Sequence, residues 1–254
     1  MNLELTNKNV VIFGGSYGIG YSIVKAFLSE KAKVHVISRS FDNLQLYSLK
    51  SEFPESVFFH YSCDATKQAE IKNISMSLLK SCENIIDVLV LNIGNGKGNG
   101  EILENDFEWN QIWDVNFNSV LYPLREFIGN IANNGAITII SSIAGIENIN
   151  APNAYSVAKS ALITLSKNLS KKLAPNIRVN TIAPGNVFVP DGTWDLKMKL
   201  DPELIKQMLF EKVPLNRFGL PEEISDLVVF ISSNRASFIT GSCVVIDGGQ
   251  TISY

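Results

Sequence analysis

Val10-Val11-Ile12-Phe13-Gly14-Gly15-Ser16-Tyr17-Gly18-Ile19-Gly20 is the stretch that decides how this chain is read. Four consecutive apolar residues suit a strand buried on both faces of a parallel sheet. The glycines then turn the chain, and Ile23, Ala26 and Phe27 recur at helical spacing up to Ala32. Lys33-Val34-His35-Val36-Ile37 follows as a second strand. Strand, glycine turn, helix and strand form a unit in which a pyrophosphate can approach the backbone at a helix N-terminus. The spacing, Gly14, Gly18 and Gly20, is not the commonest dinucleotide pattern, and glycine turns also serve packing. In this context the turn reads as a dinucleotide site.

The end of the second strand chooses between dinucleotides. An acid there would bind an adenosine ribose 2′-hydroxyl and favour NAD. This chain has Ser38-Arg39-Ser40, a cation between two hydroxyls, which suits a 2′-phosphate. NADP(H) is therefore expected, with NAD(H) second; the plainer reading makes Arg39 a solvated loop cation. Asp42 looks like a helix start.

Outward from this unit, strands and helices alternate. Residues 41–53 read as a helix and 57–61 as a third strand. Asp64 and Ala65 follow; Asp64 reads as an acceptor for an adenine amino group, as a cap for the helix at 71–82, or as both. Residues 86–91 form a fourth strand, ending at Asn92-Ile93-Gly94. The glycine-rich 95–100 reads equally as a mobile substrate-side loop or a plain connection. Residues 106–130 hold one or two helices, bent at Pro123. Asn116, flanked there by apolar residues, suggests a buried polar role. Strands at 136–140, 177–182 and 244–249 complete the count, the fifth ending at Ser141-Ser142 and the sixth at Ala183-Pro184-Gly185.

The expected fold is α/β: a single Rossmann-like domain over 1–254, a doubly wound parallel seven-stranded sheet with helices on both faces. Residues 187–213 break the alternation, carry a helix around 202–211, and are expected to form a substrate lid. Lys97, Trp194, Lys197 and Lys199 lie in the two loops expected to border the substrate site. They suit either a polar or anionic substrate or, more simply, solvated charges.

Tyr155-Ser156-Val157-Ala158-Lys159 opens a helix through Ala158, Ala161, Leu162 and Leu165. Residues four apart share a helix face, so the phenol and the ammonium stand side by side. A nearby cation lowers a phenol's pKa from about 10 toward a working range for proton transfer. Tyrosine and lysine at this spacing also occur as an ordinary solvated face.

A net charge of −3 without a basic tract leaves no electrostatic footprint for nucleic acid. The polar residues 1–9 do not resemble a signal peptide, and no long apolar run suggests a membrane span. Three scattered cysteines fit reduced cytoplasmic thiols, and two histidines in strands do not make a metal cluster.

With these residues assembled, the chain resembles the short-chain dehydrogenase/reductase superfamily, in its common type similar to 3-oxoacyl-carrier-protein reductases, from Val10 to Gly249. The family's glycine motif falls on Gly14, Gly18 and Gly20, its adenine-side aspartate on Asp64, its N-N-A-G segment on Leu91-Asn92-Ile93-Gly94, its tetrad on Asn116, Ser142, Tyr155 and Lys159, and its P-G motif on Pro184-Gly185. Departures are Phe13 for threonine, Tyr17 where NADP users often carry arginine, two changes in N-N-A-G, and Val189 for a threonine near the nicotinamide amide.

The resemblance implies hydride transfer between a nicotinamide and a carbonyl carbon. Tyr155 gives the proton to the oxygen, or takes it away. Lys159 lowers the tyrosine pKa and bonds the nicotinamide ribose. Ser142 holds the substrate oxygen, and Asn116 positions water in a proton relay. Gly14, Ser16, Tyr17, Gly18, Ile19 and Gly20 hold the pyrophosphate. Ser38, Arg39 and Ser40 face the 2′-phosphate, while Asp64, Ala65, Asn92, Gly94, Pro184, Gly185 and Val187 complete the cofactor contacts. Reduction of a ketone with NADPH is expected. The alternatives are oxidation of an alcohol, including a sugar, and a non-catalytic NADP-binding sensor or scaffold. The family further implies a homotetramer or homodimer; the apolar 238–246 and the ending 251–254 suit burial there, and suit equally a plain core strand with a short tail.

Overall fold

Seven runs, most of them rich in valine and isoleucine and one in aromatic residues, pair as one all-parallel sheet in the computed structural model, which describes residues 1–98 and 101–252. The strands are β1 (Asn9–Phe13), β2 (Lys33–Ser38), β3 (Phe58–Ser62), β4 (Ile86–Leu91), β5 (Ile131–Ile140), β6 (Ile177–Pro184) and β7 (Cys243–Ile246), in the order β3-β2-β1-β4-β5-β6-β7. The helices are α1 (Gly18–Ser29), α2 (Asn43–Glu52), α3 (Gln68–Ser81), α4 (Asp106–Trp113), α5 (Ser119–Phe127), α6 (Asn153–Leu173), α7 (Thr193–Leu200), α8 (Pro202–Lys212) and α9 (Pro221–Ser232). Asn99, Gly100, Ser253 and Tyr254 lie outside the described residues, and with them part of the glycine-rich loop and of the C-terminal segment expected to be buried.

Parallel strands need crossovers, and the helices cover both faces of the sheet. On one face Phe27, Leu49 and Val228 from α1, α2 and α9 bury Val34 and Val36. On the other, Leu78, Phe127 and Leu162 from α3, α5 and α6 bury Val11, Phe13 and Ile37. Strand order reverses between β1 and β4, which opens a crevice at the strands' C-terminal ends. Gly14, Asn92, Ser141–Ser142 and Gly185 all lie there.

Three elements differ from the sequence expectation. β5 begins at Ile131 rather than 136: Ile131 pairs with Ile86, and the register then slips so that Ala136 meets Val88. Asn134, at φ +66°, marks that irregularity, which hides the strand pattern. α7 adds a helix to the 187–213 segment, where one was expected. α9 was not anticipated at all. It packs on α1, where Ser22 and Ser225 hydroxyls meet at 3.0 Å. Its C-terminal carbonyls are taken up by the buried Arg178 of β6, which donates to Ile231 (2.8 Å) and Ser233 (2.9 Å). α7 and α8 enclose a small cluster of their own: Ile205, Leu209, Val213 and Phe218, with Trp194 and Met208 against it.

Candidate active site and cofactor crevice

Pro152 stops the preceding loop from being helical, and α6 starts at Asn153. That start sets Tyr155 and Lys159 one turn apart, facing the end of β5. Lys159 is 3% exposed. Its Nζ lies 5.7 Å from the Tyr155 ring centroid and donates to the Ile140 carbonyl at 3.2 Å. Burial brings the ammonium down to about 8 from its ordinary value. Burial pushes the Tyr155 phenol up, and the Ser142 hydroxyl pulls it partly back. The expected depression of Tyr155 by Lys159 is thus not present in the chain alone: the ammonium lies toward the ring and the Ile140 carbonyl, and desolvation dominates.

Ser142 lies two residues beyond β5 and caps the short 3-10 turn Ile143–Gly145, its hydroxyl accepting from the Ala144 amide at 3.1 Å. Ser141, which the sequence reading left without a role, donates to the Lys159 carbonyl at 2.8 Å and ties the strand end to α6. Its only signal was its place beside Ser142.

Asn116 is fully buried in a wide π-turn, Asp114–Asn118, between α4 and α5. Its Nδ2 donates to the carbonyls of Asn95 (3.0 Å) and Ile112 (2.9 Å), and its Oδ1 accepts from the Asn95 amide at 3.0 Å. The side chain therefore clamps the Asn95 backbone, with both amide hydrogens committed. Between it and Lys159 lies Gly94, where an added Cβ would stand 2.6 Å from Lys159 Nζ and 2.7 Å from Asn116 Oδ1. A Cβ at Gly96 would lie 3.8 Å from the Tyr155 ring, so the glycine-rich loop passes over the phenol.

The glycine turn is built for close approach. Gly14 and Gly18 have φ of +83° and +55°. A Cβ at Gly20 would stand 1.8 Å from the Gly14 carbonyl oxygen, which Asn92 Nδ2 holds at 2.9 Å. Tyr17 caps α1 without a side-chain bond among the described residues, leaving the first amides of the helix open to an anion. A pyrophosphate fits this donor set. The Tyr17 hydroxyl donates instead to the Pro190 carbonyl, and Val189 packs against Gly18. Ser16 and Ile19 lie half-buried on the same turn.

At the end of β2, Ser38 is buried, while Arg39 and Ser40 are exposed. Ser62 Oγ donates to the Arg39 carbonyl at 3.0 Å. Among the described residues no ion pair or hydrogen bond engages the Arg39 guanidinium, so this turn fits a 2′-phosphate. Asp64 holds the Thr66 amide (3.0 Å) and hydroxyl (2.8 Å) in a turn before α3, with Ala65 buried beside it. Asp42 is the α2 cap, accepting from Leu44 and Gln45. A cavity of about 580 Å³ opens between this turn, the loop at Asn95–Gly98 and α4. On the far side, Gly185 donates to the Ile246 carbonyl at 3.0 Å, after Pro184. Val187 bridges to Gly219. Lys199 is bound to Asp195 (2.8 Å) and Asp191 (3.2 Å), so it is not a free cation for substrate. Lys197 lies 4.8 Å over the Trp194 ring.

Among the described residues no helix is long and apolar enough to cross a membrane. Residues 14–251 match a family model described as enoyl-(acyl carrier protein) reductase. A 3-oxoacyl-acyl-carrier-protein reductase of Chlamydia muridarum is 34% identical over 255 residues, 98% of this chain and 100% of the relative. A tropinone reductase homolog of Arabidopsis thaliana is 31% identical over 98% of this chain and 81% of its own length. The structure of L-sorbose reductase from Gluconobacter frateurii, complexed with NADPH and L-sorbose, matches at TM-score 0.90 and 28% identity, covering 100% of both chains.

Proposed function

The chain belongs to the short-chain dehydrogenase/reductase family of oxidoreductases acting on carbonyl and alcohol groups, and on that premise we propose that it reduces a ketone to a secondary alcohol with NADPH. The observation that carries the reading is the gathering of Ser142, Tyr155 and Lys159 at the sheet crevice, beside a glycine turn and an uncapped helix N-terminus.

When bound, the reduced nicotinamide supplies the hydride. The Ser142 hydroxyl holds the substrate oxygen and stabilises the charge that develops on it. Tyr155 gives its phenolic proton to that oxygen. Lys159 stabilises the phenolate left behind and reaches the nicotinamide ribose. Asn116, by clamping Asn95, fixes the loop over Tyr155 and leaves one Oδ1 lone pair for a water in the return of the proton. Gly14 to Gly20 hold the pyrophosphate, and Ser38, Arg39 and Ser40 hold the 2′-phosphate. Residues 187–213, with their separate small core, act as the lid of this one-domain chain.

Exposed apolar side chains at Ile102, Phe107 and Val157 support a homo-oligomer, which light scattering tests. Unpaired Cys63, Cys82 and Cys243 support work in the cytoplasm.

Tyr155→Phe tests the reading. Turnover is expected to fall at least about a hundredfold while NADPH still binds. Retained turnover sinks the assignment of the proton donor. A panel of keto-sugars and 3-oxoacyl thioesters then sorts the substrate.

A further inference from the structure

We propose that His60 is a positioning residue of the 2′-phosphate site, and that it takes up one proton when the phosphate arrives, so that the grip on a phosphorylated adenosine strengthens as pH falls. The inference rests on the reading of Ser38, Arg39 and Ser40 as the phosphate side of the NADPH site.

His60 stands on β3 in register with Val36 of β2, and its ring reaches the end of that neighbouring strand. Nε2 lies 2.9 Å from Ser38 Oγ. Ser38 Oγ donates its hydrogen to the Ser40 carbonyl, also at 2.9 Å. A serine hydroxyl has one hydrogen to give. Nε2 must therefore carry the hydrogen of the His60–Ser38 bond, and Nδ1 is the nitrogen left to accept a proton. The chain His60, Ser38, Ser40 spans the turn that presents Arg39. Its geometry sets where the Ser38 oxygen and the Arg39 backbone stand.

The ring is half-buried, with Phe41 edge-on at 5.4 Å. Burial holds it below the ordinary histidine value, partly offset by a hydrogen bond to the Ser38 backbone, and no charged side chain contributes. It is neutral near pH 7 in the chain alone. Charged groups on the adjoining segments are committed elsewhere: Asp42 to the α2 amides, Lys25 to Glu52 at 2.9 Å, Asp64 to Thr66. Among the described residues no ion pair or hydrogen bond engages the Arg39 guanidinium at this turn, which leaves it to a ligand. A phosphate dianion at this turn has one charge offset by Arg39 and one remaining, next to a hydrogen-bonded imidazole. That charge favours the imidazolium, with a solvent proton bound at Nδ1. By linkage, the same proton tightens the phosphate.

The test uses the full-length protein with 2′,5′-ADP and 5′-AMP as probes, by titration calorimetry in buffers of different ionisation heat. Wild type is expected to take up a proton with 2′,5′-ADP and none with 5′-AMP. Its affinity for 2′,5′-ADP should rise about fivefold from pH 8.5 to pH 7, above the phosphate's own ionisation near about pH 6. His60→Gln keeps an N–H for Ser38 and should match wild type at pH 8.5 without the rise or the uptake. His60→Ala should bind 2′,5′-ADP more weakly at every pH. Uptake that is absent in wild type, or that persists in His60→Gln, overturns the role of His60. Equal binding of 2′,5′-ADP and 5′-AMP at all pH values overturns the phosphate reading of the turn itself.

Discussion

Replacing Lys159 with methionine should stabilise the protein while removing its activity. The lysine is 3% exposed, with one carbonyl, that of Ile140, as its hydrogen-bond partner. Burial lowers it from 10.5 to about 8. Each unit of such a shift corresponds to about 1.4 kcal/mol, so holding the ammonium inside costs about 3 kcal/mol below pH 8. Methionine fills similar space without a charge, and leaving the Ile140 carbonyl unpaired costs about 1 kcal/mol. The net gain is about 2 kcal/mol for Lys159→Met near neutral pH. The pH dependence has a fixed sign. The folded state holds its proton less tightly than the unfolded state, so wild-type stability rises between about pH 8 and 10.5, and the advantage of the variant shrinks there. Urea denaturation of the cofactor-free proteins at about pH 7 and about pH 9.5 measures both. A variant less stable than wild type at the lower pH, or a difference that does not change with pH, would refute the reasoning. Confirmation would mean that fold stability is sacrificed to keep a cation beside Tyr155.

Other outcomes follow from the same geometry. His35 is fully buried, both ring nitrogens lack a hydrogen-bond partner among the described residues, and burial with Lys33 nearby lowers it from 6.5 to about 4. The unfolded chain therefore binds the proton first, and stability should fall by about 3 kcal/mol as pH drops from 6.5 to about 4; His35→Leu should flatten that fall in acid denaturation curves. Gly20→Ala places a Cβ 1.8 Å from the Gly14 carbonyl and should cost cofactor affinity at least about tenfold, read by nucleotide fluorescence. Arg39→Ala should weaken NADPH binding by about tenfold or more and leave NADH nearly unchanged. Cys63 and Cys82, pushed up to about 12 by burial, should resist alkylation at neutral pH in the native protein and react once it is unfolded.

The sheet was legible because its information is local. Valine and isoleucine runs marked six strands to within a few residues, and the glycine turn after Phe13 fixed the first crossover. β5 was read short because Asn134 and Gly135 interrupt its pattern, whereas Ile131 is held by pairing with Ile86. α9 could have been found: Pro221 at its first turn, Glu222 and Glu223 behind it, and Ile224, Leu227, Val228 and Ile231 at helical spacing are helix signals. The Tyr155–Lys159 adjacency followed from helix geometry, but the direction of the Tyr155 shift did not. It depends on how much chain folds over the phenol, which spacing does not report. Asn116 as the clamp of Asn95 likewise depends on the π-turn, a tertiary feature. So does Tyr17, whose hydroxyl reaches Pro190 across 173 positions of sequence.

The central claim is that this crevice carries out ketone reduction with a tyrosine proton donor. The direct measurement follows nicotinamide absorbance with purified protein, NADPH and a ketone panel, beside Tyr155→Phe under the same conditions. Ketone-dependent loss of NADPH is expected in wild type and almost none in the variant. NADPH that binds tightly yet is not consumed with any ketone, or equal consumption by Tyr155→Phe, would contradict the claim.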